Sequence, residues 1–179
     1  ELGVFIYFSP TISLLNMFFI DELIDVAAEC EIDTDKINVN NILTTPQYYD
    51  VRLLPDNIKK QLIDKLEDYR DNKVHPKYKV VVDYGLKSWR KFINEPLPGD
   101  RFIAEKDLLS NTVYLDININ QSFLEVNPQY TEWFSQIRKN LNDIGHRWLI
   151  LPDVRKSELI KQKAETEKKN WKPLGKSII

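Results

Sequence analysis

Gly3-Val4-Phe5-Ile6-Tyr7-Phe8 and, further along, Lys36-Ile37-Asn38-Val39-Asn40-Asn41-Ile42-Leu43 are the two stretches on which the fold class turns. The first is a continuous apolar, β-branched and aromatic run, and its lack of alternation suits a strand buried on both faces, as in a parallel sheet. It stops at Ser9-Pro10. In the second, Ile37, Val39 and Asn41 alternate with Asn38, Asn40 and Ile42, the pattern of a short strand with Asn38 and Asn40 on one face. Between them, Leu15, Phe18, Phe19, Leu23, Ile24 and Ala27 predict a helix from about Leu14 to Cys30, capped by Ser13. Its other side carries most of Asp21, Glu22, Asp25 and Glu29. Strand, helix, strand over this length is one βαβ unit with a right-handed crossover, and a parallel sheet is the expectation.

Beyond Pro46 the pattern turns helical. Leu54-Pro55-Asp56-Asn57 reads as a helix start, with proline in the first turn and an acid near the positive end of the dipole. Ile58, Leu62, Leu66 and Tyr69 then fall on one stripe, and Arg70 to Pro76 reads as a loop. Tyr78 to Ile93 fits a helix presenting Val81, Val82, Leu86, Trp89 and Phe92, with a strand as the alternative because of the Val80 to Val82 run. Pro96 and Pro98-Gly99 end it. A further helix is expected from about Ile103 to Ile117, another after Asn127-Pro128 with Tyr130, Phe134, Ile137 and Leu141 on its stripe, and an exposed one from about Val154 to Asn170.

Composition narrows the function classes. With 179 residues and 42% hydrophobic content the chain can bury one sizeable core, and 29% charged with 11% aromatic residues excludes the disordered and collagen-like classes. The single cysteine, Cys30, can complete neither an intramolecular disulfide nor a cysteine-based zinc or iron-sulfur site, so a reducing, cytoplasmic setting is expected. Among Val26, Ala27 and Ala28, Cys30 reads as a small buried hydrophobe. No apolar run is long enough to span a membrane. The chain begins with Glu1 directly before the first apolar run, which suggests an N-terminal truncation.

Net charge is only -2 but unevenly placed. Residues 1 to 35 hold eight acids and no Lys or Arg, whereas residues 155 to 176 hold eight bases against three acids. The basic tail reads as a contact for nucleic acid or an acidic partner, or as a solvated Lys/Glu-rich helix. The interspersed Glu158, Glu165 and Glu167 and the lone stacking ring of Trp171 favour the solvated helix.

Self-sufficient catalytic motifs are missing: there is no Gly-rich phosphate loop, nucleophile elbow, His-x-x-x-His pair or cysteine pair. His75 and His146 sit in loop-like surroundings and read as surface residues. What stands out is the polar content of the second predicted strand and of the segments that follow both. In β/α barrels the reactive face lies at the C-terminal strand ends, where Ser9 and Thr11 follow the first strand and Thr44 and Thr45 the second. Two strand amides, Asn38 and Asn40, need partners there, from a ligand or from neighbouring backbone. Ser9, Asn38, Asn40 and Thr44 are therefore the candidate cofactor-binding residues.

An ordered set of segments carries a family resemblance. Phe5-Ile6-Tyr7-Phe8-Ser9, Phe18-Phe19-Ile20-Asp21-Glu22-Leu23-Ile24-Asp25, Ile37-Asn38-Val39-Asn40-Asn41-Ile42, Pro46-Gln47-Tyr48-Tyr49-Asp50-Val51-Arg52 and Leu53-Leu54-Pro55 resemble the closing strands and exit segment of radical S-adenosylmethionine (SAM) proteins of the twitch domain-containing type. Leu115-Asp116-Ile117-Asn118-Ile119-Asn120-Gln121-Ser122-Phe123-Leu124-Glu125-Val126-Asn127-Pro128 is similar to their post-barrel segment, with Asn118 or Ile119 where that group often has Arg. The resemblance covers about residues 3 to 135.

It implies an α/β fold, the last strands of a partial β/α barrel over residues 1–55 and a helical post-barrel region over 56–150, to which the charge pattern adds a basic, exposed C-terminal helix or tail over 151–179. It also implies a [4Fe-4S] cluster on a Cys-x3-Cys-x2-Cys loop, with SAM on the open iron and a 5'-deoxyadenosyl radical as the product of its cleavage. The substrate, small molecule or peptide, is not implied. That cysteine loop is absent from this chain, so the cluster ligands are expected upstream and the chain alone is expected to be inactive. The alternative is a non-enzymatic module for protein or nucleic-acid interaction through the basic tail.

Overall fold

A computed structural model describes residues 6–119 and 121–144, and these are mainly helical. The chain divides into two compact units, Glu1–Glu105 and Lys106–Ile179. The first holds α1 (Ile20–Glu29), α2 (Asp56–Asn72), α3 (Lys79–Phe92) and the start of α4 (Arg101–Ile119), inside which the boundary falls. The second holds the remainder of α4, α5 (Phe123–Val126) and α6 (Thr131–Asp143).

The expected α/β fold with partial-barrel strands is overturned: among the described residues there is no strand, sheet or barrel. Two isolated parallel bridges stand in their place, Phe8 with Ile37 and Ile12 with Ile42. Phe8 N–H donates to the Lys36 carbonyl and Asn38 N–H to the Phe8 carbonyl, both at 2.9 Å. Further on, Ile12 N–H donates to Asn41 at 2.8 Å and Leu43 N–H to Ile12 at 2.7 Å.

Three local features stop a ladder from joining these bridges. The second segment advances one residue more than the first between them, so the registers do not match. Pro10 has no N–H to contribute. The asparagines fold the chain on itself: Asn40 N–H donates to the Asn38 side chain at 3.0 Å, and Ile42 N–H to the Asn40 carbonyl at 2.9 Å. These are an Asx turn and a three-residue turn, both competitors of strand pairing. Ile6 and Tyr7 are exposed, at 61% and 73%, where a strand buried on both faces was expected. Residues 3–5 of that run lie outside the described residues.

The helices follow the apolar spacing. In α2, Ile58, Leu62, Leu66 and Tyr69 are all buried, and each aliphatic side chain contributes about 1.5–3 kcal/mol. Pro55 stands at its N-cap position, and the helix runs on to Asn72, past the predicted loop start. In α3, Val81, Val82, Leu86 and Trp89 are buried while Val80 is exposed, which decides helix over strand for the valine run. The two helices pack on each other, and within α3 the missing Cβ of Gly85 leaves room for the Trp89 indole. Pro96, Pro98 and Gly99, the last at φ 83°, turn the chain, and the Asp100 carboxylate accepts from Phe102 N–H at 2.8 Å to start α4.

α1 is shorter than predicted. It begins at Ile20 after a 3-10 turn, Met17–Phe19, and Ser13 caps the stretch before it, its hydroxyl accepting from Leu15 N–H at 3.3 Å. Ile20, Ile24 and Ala27 are buried, with Ile12, Leu14 and Met17 ahead of them. Cys30, expected to be buried, is exposed, because the helix ends at Glu29 and Glu31 turns away at φ 54°. Polar links tie α1 to α2: Lys65 Nζ contacts Asp21 at 2.8 Å and the Phe18 carbonyl, and Tyr69 OH donates to Asp25 at 2.6 Å.

In the second unit, Trp133, Phe134, Ile137 and Leu141 of α6 are buried, preceded by the 3-10 turn Pro128–Tyr130. Phe123 stacks on Tyr130 at 5.5 Å between ring centroids, and its N–H donates to Asp116 at 2.7 Å. The predicted helix at 154–170 and His146 lie outside the described residues.

Candidate functional site

The four predicted site residues sit along the course of the two bridged segments. Ser9 follows the Phe8 bridge, beside Asn38, whose N–H donates to Phe8. Thr44 comes after Leu43, past the second bridge. Ser9 and Asn38 are thus close together, and Thr44 is set apart from them.

Their environments also differ. Ser9, Asn38 and Thr44 are exposed, and Asn38 is occupied by the Asx turn. Asn40 is the exception. Both polar atoms of its carboxamide are buried, and neither has a hydrogen-bond partner. Asn38 and Asn40 differ in environment, the first exposed and the second with a buried carboxamide, with the Asx turn between them. Next to Asn40 the Val39 carbonyl accepts from the Trp89 indole N–H at 3.0 Å, so α3 holds this segment in place. Thr11, on the facing segment, accepts from the Asn41 amide at 3.2 Å and gives its carbonyl to Asn16 Nδ2 at 2.9 Å.

A second polar centre lies just downstream. Asp50 is fully buried and Arg52 nearly so, with Arg52 Nη2 at 2.6 Å and Nε at 3.0 and 3.1 Å from the carboxylate. Asp50 also caps the Val51–Leu53 turn by accepting from Arg52 N–H at 2.9 Å. The hydrogen bonds it donates to Asp50 hold the Arg52 guanidinium above its ordinary range, and the cation lies 4.6 Å from the centre of the Phe92 ring. The sequence reading assigned this pair no role, although an acid and a base two apart between Tyr49, Val51 and Leu53 signal a charge pair entering a core.

Cluster chemistry does not fit this chain. Its only cysteine is Cys30, and among the described residues no group of three or more His, Cys, Asp or Glu is placed to hold a metal ion. Asn40 keeps a buried donor and a buried acceptor without a partner. Among the described residues no helix is long and apolar enough to cross a membrane. No family model, curated protein or solved structure matches the chain.

Proposed function

We propose that this chain is the C-terminal part of a radical SAM enzyme whose cluster ligands lie in residues upstream of it, working in a reducing, cytoplasmic setting. One geometric observation carries the reading. Two segments of the ordered resemblance, around Phe8 and around Ile37 to Ile42, lie side by side in parallel and are joined across α1. They bring Ser9, Asn38 and the unpaired Asn40 carboxamide to one part of the molecule. In this reading the cluster and SAM supply the 5'-deoxyadenosyl radical. This chain supplies polar contacts from Asn40, Ser9 and Asn38 and the helical packing that holds them, with Thr44 as a more distant contributor.

The test joins the chain to its upstream reading frame, purifies the product without oxygen, reconstitutes it with iron and sulfide, and measures 5'-deoxyadenosine after adding SAM and dithionite. Release of 5'-deoxyadenosine is the expected result. An upstream frame lacking three closely spaced cysteines, or a reconstituted protein that leaves SAM intact, overturns the reading.

A second reading rests on the eight bases against three acids in residues 155 to 176. There the chain is an interaction module for nucleic acid or another acidic partner, with binding that weakens as salt rises. Retention on a nucleic-acid column at low salt, lost on removing residues 155–179, supports it; absence of retention at low salt excludes the nucleic-acid form.

A further inference from the structure

We propose that His75 is a protonation-controlled cap on the turn between α2 and α3. Its Nδ1 accepts from Lys77 N–H at 3.2 Å and so holds the Pro76–Tyr78 turn that leads into α3. A ring nitrogen accepts only while it carries no proton, and histidine is the side chain whose charge ordinarily changes between pH 5 and 8. Protonation therefore removes the cap rather than merely weakening it.

The ring borders a charged groove. His75 lines an open groove of ≈ 630 Å³ with Glu29, Glu31, Asp33, Lys77 and Tyr78. Asp33 is engaged by Lys36 at 2.9 Å and Lys77 at 3.7 Å, whereas Glu29 and Glu31 form no ion pair among the described residues. Tyr78 is fixed, its hydroxyl donating to the Ile32 carbonyl at 2.9 Å and its ring meeting the His75 ring edge-on at 6.1 Å. Among the described residues lining the groove, Lys77 is the cation and Glu29, Glu31 and Asp33 are the carboxylates. The switch releases the cap at the entry of α3, while the Tyr78 hydroxyl bond to the Ile32 carbonyl does not depend on it.

Amide hydrogen exchange on the 179-residue chain, followed by NMR from pH 8 to pH 5, tests this. The Lys77 protection factor is expected to fall roughly two- to tenfold, the equivalent of one net hydrogen bond, in step with the His75 imidazole signal. H75N, which keeps a cap acceptor and does not titrate, should hold protection at both ends and identifies the His75 signal against that of His146. H75A should be unprotected throughout. Equal protection at pH 5 and pH 8 while His75 titrates, or H75N losing protection as the wild type does, overturns the proposal.

Discussion

Asp50 and Arg52 form a pair with almost no access to solvent, and a pair of that kind is most sensitive to losing one member. D50A removes the buried carboxylate and leaves Arg52 only the half-exposed Glu95 at 4.0 Å, and it is expected to destabilise the protein by about 3 kcal/mol, as read by urea denaturation. Asn40 points the other way. Its carboxamide is buried and unpaired, so N40L should leave stability unchanged or raise it by about 1 kcal/mol, and in the joined longer protein it should weaken SAM binding. Stability and binding moving in opposite directions is the signature sought. Tyr69 supplies a pH dependence. Burial first, and then its hydrogen bond to Asp25, push its phenol well above the ordinary range. The unfolded chain loses that proton near pH 10 while the folded one keeps it. Tyr69 therefore favours the folded state below about pH 10, and that contribution is lost as pH rises above it. Y69F should remove this part of the alkaline slope in denaturation curves taken from pH 8 to 11. Single residues were only partly legible in the sequence. Asn38 is exposed and the Asn40 carboxamide buried, with an Asx turn between them that alternation does not reveal.

α3 is decided by one close approach. A Cβ on Gly85 would lie 2.5 Å from the Trp89 ring, and the indole has no freedom to move because it is buried and bonded to Val39. G85A should therefore lower stability by about 1–3 kcal/mol in thermal or urea unfolding, although alanine is the better helix former. The stripes of α2, α3 and α6 were legible because a 3.6-residue period suffices to choose a buried face. The extended segments were not. Apolar character around Ile6 and Tyr7 resembles that of a buried strand, yet pairing needs a partner in register, and the extra residue between the two bridges removes it. Cys30 shows the same limit at a helix end, where stopping at Glu29 turned an apolar neighbourhood outward.

For the molecule as a whole, the expected catalytic behaviour is conditional. The chain alone should release no 5'-deoxyadenosine under reducing, anaerobic conditions, since one cysteine cannot hold a cluster. The sequence by itself determined the buried stripes of α2 and α6, most of that of α3, and the shortage of cysteines for a cluster, because these follow from residue spacing and residue type within the chain. Tertiary structure alone decided that Phe8 and Ile12 meet Ile37 and Ile42 in single bridges rather than a sheet, that Asn40 is buried without a partner, and that Asp50 lies in the core. Each of these depends on which distant segment comes alongside, and hydrogen bonds between segments form only where backbone register and local turns allow them.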